Sequence, residues 1–94
     1  MSYARRMVRM PLTEQDRVRG QALGLLLRQA RGARSVRAVA AAAGLAEETV
    51  RKIERGAVPT PALFTVAALA QTLDLQLDQL VRLATKARTG TAVA

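Results

Sequence analysis

Six polar side chains capable of specific bonding, Glu47, Glu48, Thr49, Arg51, Lys52 and Arg55, fall within a nine-residue stretch of this chain that also holds Glu54. Val50 and Ile53 are the apolar residues among them, so a helix here buries those two and presents the polar set on its outer face. Hydrogen bonding and charge pairing are the chemistry open to such a face. A glutamate can accept from cytosine N4, and a lysine can donate to guanine O6 or N7. The same residues also suit a plainer role, since Glu47 and Glu48 stand four residues before Arg51 and Lys52 in the order that forms surface ion pairs of about 0.2–0.5 kcal/mol. Both readings remain open at this level.

Bond-making chemistry finds little to work with. The chain has no cysteine and no histidine, which removes thiolate and imidazole catalysis, disulfides and zinc-finger ligand sets. No glycine-rich loop of the dinucleotide or nucleoside-triphosphate kind is present. The seven carboxylates have no nucleophile and base arranged beside them. An enzyme is not expected, and neither a metal nor a cofactor is implied.

The polar stretch needs elements to position it, and the residues from Ser35 to Gly56 supply them. Ser35 precedes an apolar run and can cap a helix. Val36, Val39, Ala40 and Ala43 follow at helical spacing, and the two alanines allow another helix to cross closely. Gly44 suits a left-handed C-terminal cap. Leu45 then turns inward, a second helix carries Val50 and Ile53 on its inner face, and Gly56 ends it. Two helices joined by so short a turn must cross steeply, which is the helix-turn-helix unit.

Ala40, Ala43-Gly44-Leu45, Thr49-Val50 and Ile53-Glu54-Arg55-Gly56 resemble the Cro/repressor-like (Xre-type) helix-turn-helix family, and Thr49 to Glu54 with Pro59-Thr60-Pro61 is similar to its actinobacterial members. The likeness runs from about Leu23 to Leu83, with Leu23-Gly24 before the unit and Leu77-Asp78-Gln79-Leu80 after it. It implies an all-α, five-helix domain that binds double-stranded DNA as a transcriptional regulator. By that resemblance Glu47, Glu48 and Lys52 face bases, with Thr49 and Arg51 beside them. Arg34, Ser35, Arg37 and Arg55 complete the implied DNA surface, Arg37 and the N–H groups near Ser35 facing phosphate. The family also commonly pairs an arginine late in the first helix, here Arg31, with the acid that stands here as Glu54. Two positions depart from the pattern: Ala46 stands where the family has a Ser or Thr cap, and Val36 where many members have Gln. The acids of Glu47 and Glu48 can offset the missing cap through the helix dipole.

A formal charge of +8 on 94 residues suits a polyanionic partner. Most of it precedes the helix-turn-helix: residues 1–34 carry +6, residues 35–56 carry +1 and the rest +1. Thirteen of the fifteen bases are arginine, which suits phosphate forks but also follows from GC-rich codons. Residues 1–12 read as a basic arm whose Arg5, Arg6 and Arg9 either lie along phosphates or enter a minor groove, as homeodomain arms do, or simply form a charged terminus. Residues 88–94 read as a disordered tail.

The domain proper is expected over residues 13–87. Thr13, with Glu14 and Asp16 in the first turn, starts a helix running to Arg31 and stopping at Gly32. Val18, Ala22, Leu23, Leu26, Leu27 and Ala30 form its stripe, and Gly20 and Gly24 weaken it by about 1 kcal/mol each relative to Ala. Thr60 caps a fourth helix with Pro61 in its first position, inward through Leu63, Val66, Ala67, Ala70 and Leu73, with Phe64 in the core or at its margin. Asp74 ends it without the glycine usual there. A fifth helix runs from Leu77 to about Ala87, with Leu77, Leu80, Val81 and Ala84 inward.

One such domain buries little DNA surface, so a homodimer on half-sites about 34 Å apart is expected, joined through the last helix or the arm. With no apolar run of about 18 residues and no hydrophobic centre in the first ten, no membrane is expected, and the setting is a bacterial cytoplasm at the nucleoid. The rival is a helical interaction module, an antitoxin or adaptor whose partner is a protein such as a toxin.

Overall fold

The computed structural model describes residues 11–87. They form five helices: α1 (Glu14–Arg31), α2 (Val36–Ala43), α3 (Glu47–Glu54), α4 (Leu63–Thr72) and α5 (Leu77–Thr85). No strand occurs among the described residues, and the expected all-α class is the one found. The basic arm's Arg5, Arg6 and Arg9 and the 88–94 tail lie outside the described residues.

Helix α1 is the long element against which the others are set. Thr13 Oγ1 accepts the Asp16 N–H at 3.0 Å, and the Asp16 carboxylate accepts the Thr13 N–H at 3.0 Å, a reciprocal capping box. The backbone bond from Thr13 is the main reason that the Asp16 carboxyl is held below its ordinary value. Such a group stabilises the fold above its unfolded pKa, about 3.9, and loses that contribution as pH falls through the lower folded value. The thermal midpoint of the wild type should therefore drop more steeply between pH 5 and pH 2 than that of Asp16→Asn; parallel curves would mean that the box contributes nothing.

The core gathers Leu23 and Leu27 of α1, Val39 and Ala40 of α2, Val50 and Ile53 of α3, Val66, Leu69 and Ala70 of α4, and Leu80 and Ala84 of α5. Helix α1 packs on α3 and α5, and α2 packs on α3 and α4. At the start of α1, the Gln15 side chain donates to the Ala87 carbonyl at 2.8 Å and ties the first turn of the first helix to the chain just past the last.

Three helix ends share one device. Gly44, Gly56 and Asp74 have φ of 73°, 76° and 64°, and the N–H of the next residue reaches back to the last turn, from Leu45 to Ala40, Ala57 to Lys52 and Leu75 to Ala70. Asp74 thus takes the left-handed conformation that a glycine usually fills, a region where aspartate is among the better-tolerated residues.

The structure corrects the sequence reading in three places. Helix α4 starts at Leu63 with Ala62 as an N-cap that makes no side-chain bond, so Thr60 and Pro61 belong to the loop. Pro59 lies against α1 at Gly20, where a Cβ would come within 2.6 Å of the Pro59 Cα, and the chain must leave that contact before it can coil. The α4 stripe is accordingly rotated, with Val66, Leu69, Ala70 and Leu73 buried at spacings of three and four. Leu63 is 59% exposed, and Phe64, at 82%, is outside the core altogether. On α5, Leu80 and Ala84 are buried, Leu77 is half-buried and Val81 is exposed, and the helix stops at Thr85.

Candidate nucleic-acid interface

Helices α2 and α3 form the helix-turn-helix, and a side-chain bond fixes its first end. Ser35 Oγ accepts the Ala38 N–H at 3.0 Å and caps α2. Its neighbours Arg34 and Arg37 are exposed. The first-turn N–H groups and the positive end of the helix dipole therefore stand beside two arginines, an arrangement that attracts an anion. Ala46 starts α3 without a side-chain cap, and Glu47 and Glu48 in the first turn complement the dipole in its place.

On α3, Val50 and Ile53 are buried while Glu48, Arg51, Lys52 and Arg55 are exposed; Glu47 and Thr49 are half-buried. The outer face expected from the sequence is the one found. Its internal pairing is only partly as spaced. Glu47 meets Arg51 at 3.1 Å, as the four-residue spacing suggests, and also faces Arg37 of α2 at 4.0 Å. Glu48 approaches Arg55 at 3.9 Å rather than Lys52. Among the described residues Lys52 makes no ion pair.

A nearly buried pair holds α3 in place. Arg31 Nε donates to Glu54 Oε2 at 2.7 Å and Nη2 to Oε1 at 2.9 Å, a two-pronged contact. Its Nη1 donates to the Arg34 carbonyl at 2.8 Å. One guanidinium thus joins the end of α1, the start of α2 and the end of α3. The bonds to Glu54 raise the Arg31 pKa above its already high ordinary value, so the charge is permanent.

Two flanks border α3. On one, Arg28, Arg31, Arg51 and Arg55 surround an open notch of about 230 Å³ in which Glu54 is the single acid and Val36 marks the start of α2. On the other, Thr49 and Lys52 lie beside Pro61, Ala62 and Thr65 at the start of α4. The structure therefore places Arg37, Glu47, Glu48, Thr49, Arg51 and Lys52 on the two helices of one unit, with Arg34 and Ser35 at its entry and Arg55 at its exit. Arg28 is an addition that the sequence reading missed. Its signal was available: it stands one helical turn before Arg31, so the pairing of Arg31 with Glu54 carries it to the same side of α3.

Among the described residues no group of three or more His, Cys, Asp or Glu is placed to hold a metal, and no helix is long and apolar enough to cross a membrane. A family model described as a helix-turn-helix domain matches residues 22–83, about two-thirds of the chain, from the middle of α1 into α5. No curated protein matches the chain.

Proposed function

Because the chain belongs to the helix-turn-helix domain family, whose domains bind DNA and are not catalytic, we propose that it is a sequence-specific transcriptional regulator of the Cro/repressor-like (Xre) kind, actinobacterial in type. Helix α3 lies in the major groove of double-stranded DNA. The observation that carries this reading is the outer face of α3, where Lys52 is exposed and unpaired among the described residues, next to a notch with four arginines and one acid.

In this reading Lys52 donates to a guanine edge, and Thr49 and Glu48 lie within the same groove, Glu48 accepting from cytosine N4. Glu47 sets the direction of Arg51 through their ion pair. Arg34, Arg37, Arg55 and the N–H groups behind Ser35 take phosphates on either side, with Arg28 extending the footprint onto α1. Arg5, Arg6 and Arg9 of the arm supply further phosphate or minor-groove contacts. The protein acts as a homodimer on two half-sites about one helical turn apart, in the cytoplasm of a bacterium at its nucleoid, with residues 13–87 as the folded domain between arm and tail.

A second reading has its own support. Leu63 and Phe64 stand exposed on α4, a feature that also suits a protein partner such as a toxin.

Binding to the DNA upstream of its own coding sequence and to a scrambled duplex, followed by fluorescence anisotropy over a salt series, separates these readings. Specific binding should be lost on Lys52→Ala, while Arg28→Gln weakens both duplexes alike and lowers the salt slope by about 0.9. Equal binding to both duplexes that disappears by about 200 mM salt would reject groove reading and favour the protein partner.

A further inference from the structure

Helix α4 is apolar around most of its circumference, yet the fold covers only one side of it. Its ten residues include no charged side chain. Val66, Leu69 and Ala70 face the core, while Leu63 and Phe64 are exposed. A helix of this composition is ordinarily buried on all sides. Beside Leu63, an open groove of about 240 Å³ continues the surface across Pro61, Leu77 and Val81. The one charged residue that lines it is Arg19, which is bonded to Asp16 at 3.0 Å.

We propose that the outer face of α4, centred on Phe64 and Leu63, is where a second copy of this chain docks when both are bound to DNA. The proposal rests on the DNA-binding reading above and assigns the dimer contact within it. Two observations select a second copy as the occupant. A chain of +8 repels itself, and the repulsion is weakest where the surface lacks net charge, which is this face. The same end of α4 adjoins the reading helix, since Ala62 and Thr65 lie beside Thr49 and Lys52. A twofold contact here therefore sets two α3 helices side by side on one duplex, with the arginine notches on their far flanks.

The size of the patch sets when pairing happens. Two exposed side chains and a shallow groove fall short of the ~1,200 Å² or more that a stable free complex buries. Free chains are therefore monomeric at micromolar concentration, and the duplex completes the pair by holding two copies at high effective concentration. Contact between the copies then appears as cooperativity.

The test uses duplexes that the wild-type chain selects from a random-sequence library, and shortened versions with one half-site. Wild type should fill the two half-sites cooperatively, the second copy binding about tenfold more tightly than the first, within the ~5- to 150-fold range of ordinary coupling. Phe64→Ser should abolish that factor and leave affinity for the single half-site unchanged, because an 82% exposed ring adds nothing to the fold. Leu63→Ser provides a second variant with the same expected loss. Undiminished cooperativity in both variants would overturn the α4 contact while leaving groove reading intact. Failure to select any sequence would instead overturn the proposed function, and the pairing on DNA with it.

Discussion

Gly24→Ala should lower the thermal midpoint by about 10 °C, although the same exchange in an isolated helix is stabilising by about 1 kcal/mol. The sign is reversed by what faces Gly24. A Cβ there would run into the Ile53 carbonyl oxygen and come within 2.8 Å of the Glu54 carbonyl oxygen. These are backbone atoms in the last turn of α3, which cannot rotate aside as a side chain can. Relief requires α1 and α3 to move apart, which loosens the packing of Leu23 and Leu27 against Val50 and Ile53. Overpacking of this kind costs about 1–3 kcal/mol, and a rigid neighbour places the cost at the upper end, leaving a net loss of about 2 kcal/mol. For a domain of this size each kcal/mol moves the midpoint by about 4–8 °C. Thermal unfolding followed by circular dichroism provides the measurement, and an unchanged or raised midpoint would show that α1 and α3 do not cross this closely.

That reversal also marks where the sequence stops being readable. Helical periodicity and end signals are local, and Thr13, Ser35 and Gly44 place three helix ends correctly because each cap acts within one turn. The outer face of α3 was legible for the same reason, since Val50 and Ile53 alone settle which side turns inward. A glycine in mid-helix, by contrast, looks the same whether it is a weakness or a crossing point. Only the approach of α3 at Gly24 and of Pro59 at Gly20 distinguishes the two. Long-range contact likewise explains Thr60-Pro61, whose local signature is that of a helix start but whose loop is held against α1. Phe64 follows from the same shift, because starting α4 at Leu63 rotates its stripe and turns the ring outward. The choice between base contacts and ion pairs at Glu47 and Glu48 depends on side-chain partners: Glu47 pairs with Arg51 as spaced, whereas Glu48 turns to Arg55.

Glu54→Gln should destabilise the domain by about 2 kcal/mol, four or more times the effect of Asp78→Asn at an exposed ion pair. The Arg31 and Glu54 side chains are only 17% and 10% exposed, so the substitution leaves a guanidinium largely out of water with a neutral amide that reproduces one acceptor of the original two. Breaking a fully buried pair costs about 3–5 kcal/mol, and the remaining exposure of Arg31 moderates that figure. Asp78, 73% exposed and 3.7 Å from Arg82, should change stability by less than about 0.5 kcal/mol. Equal effects in urea unfolding would mean that the pair contributes no more than a surface contact. Replacing both partners separates folding from positioning. Arg31→Met with Glu54→Leu removes two charges at once and should restore most of the lost stability, as apolar replacements of buried pairs often do. It also removes the bond from Arg31 to the Arg34 carbonyl, which fixes the backbone just ahead of Ser35. The double variant should therefore fold nearly as well as wild type yet bind its selected duplex more weakly. Recovery of affinity together with stability would show that the pair serves the fold alone.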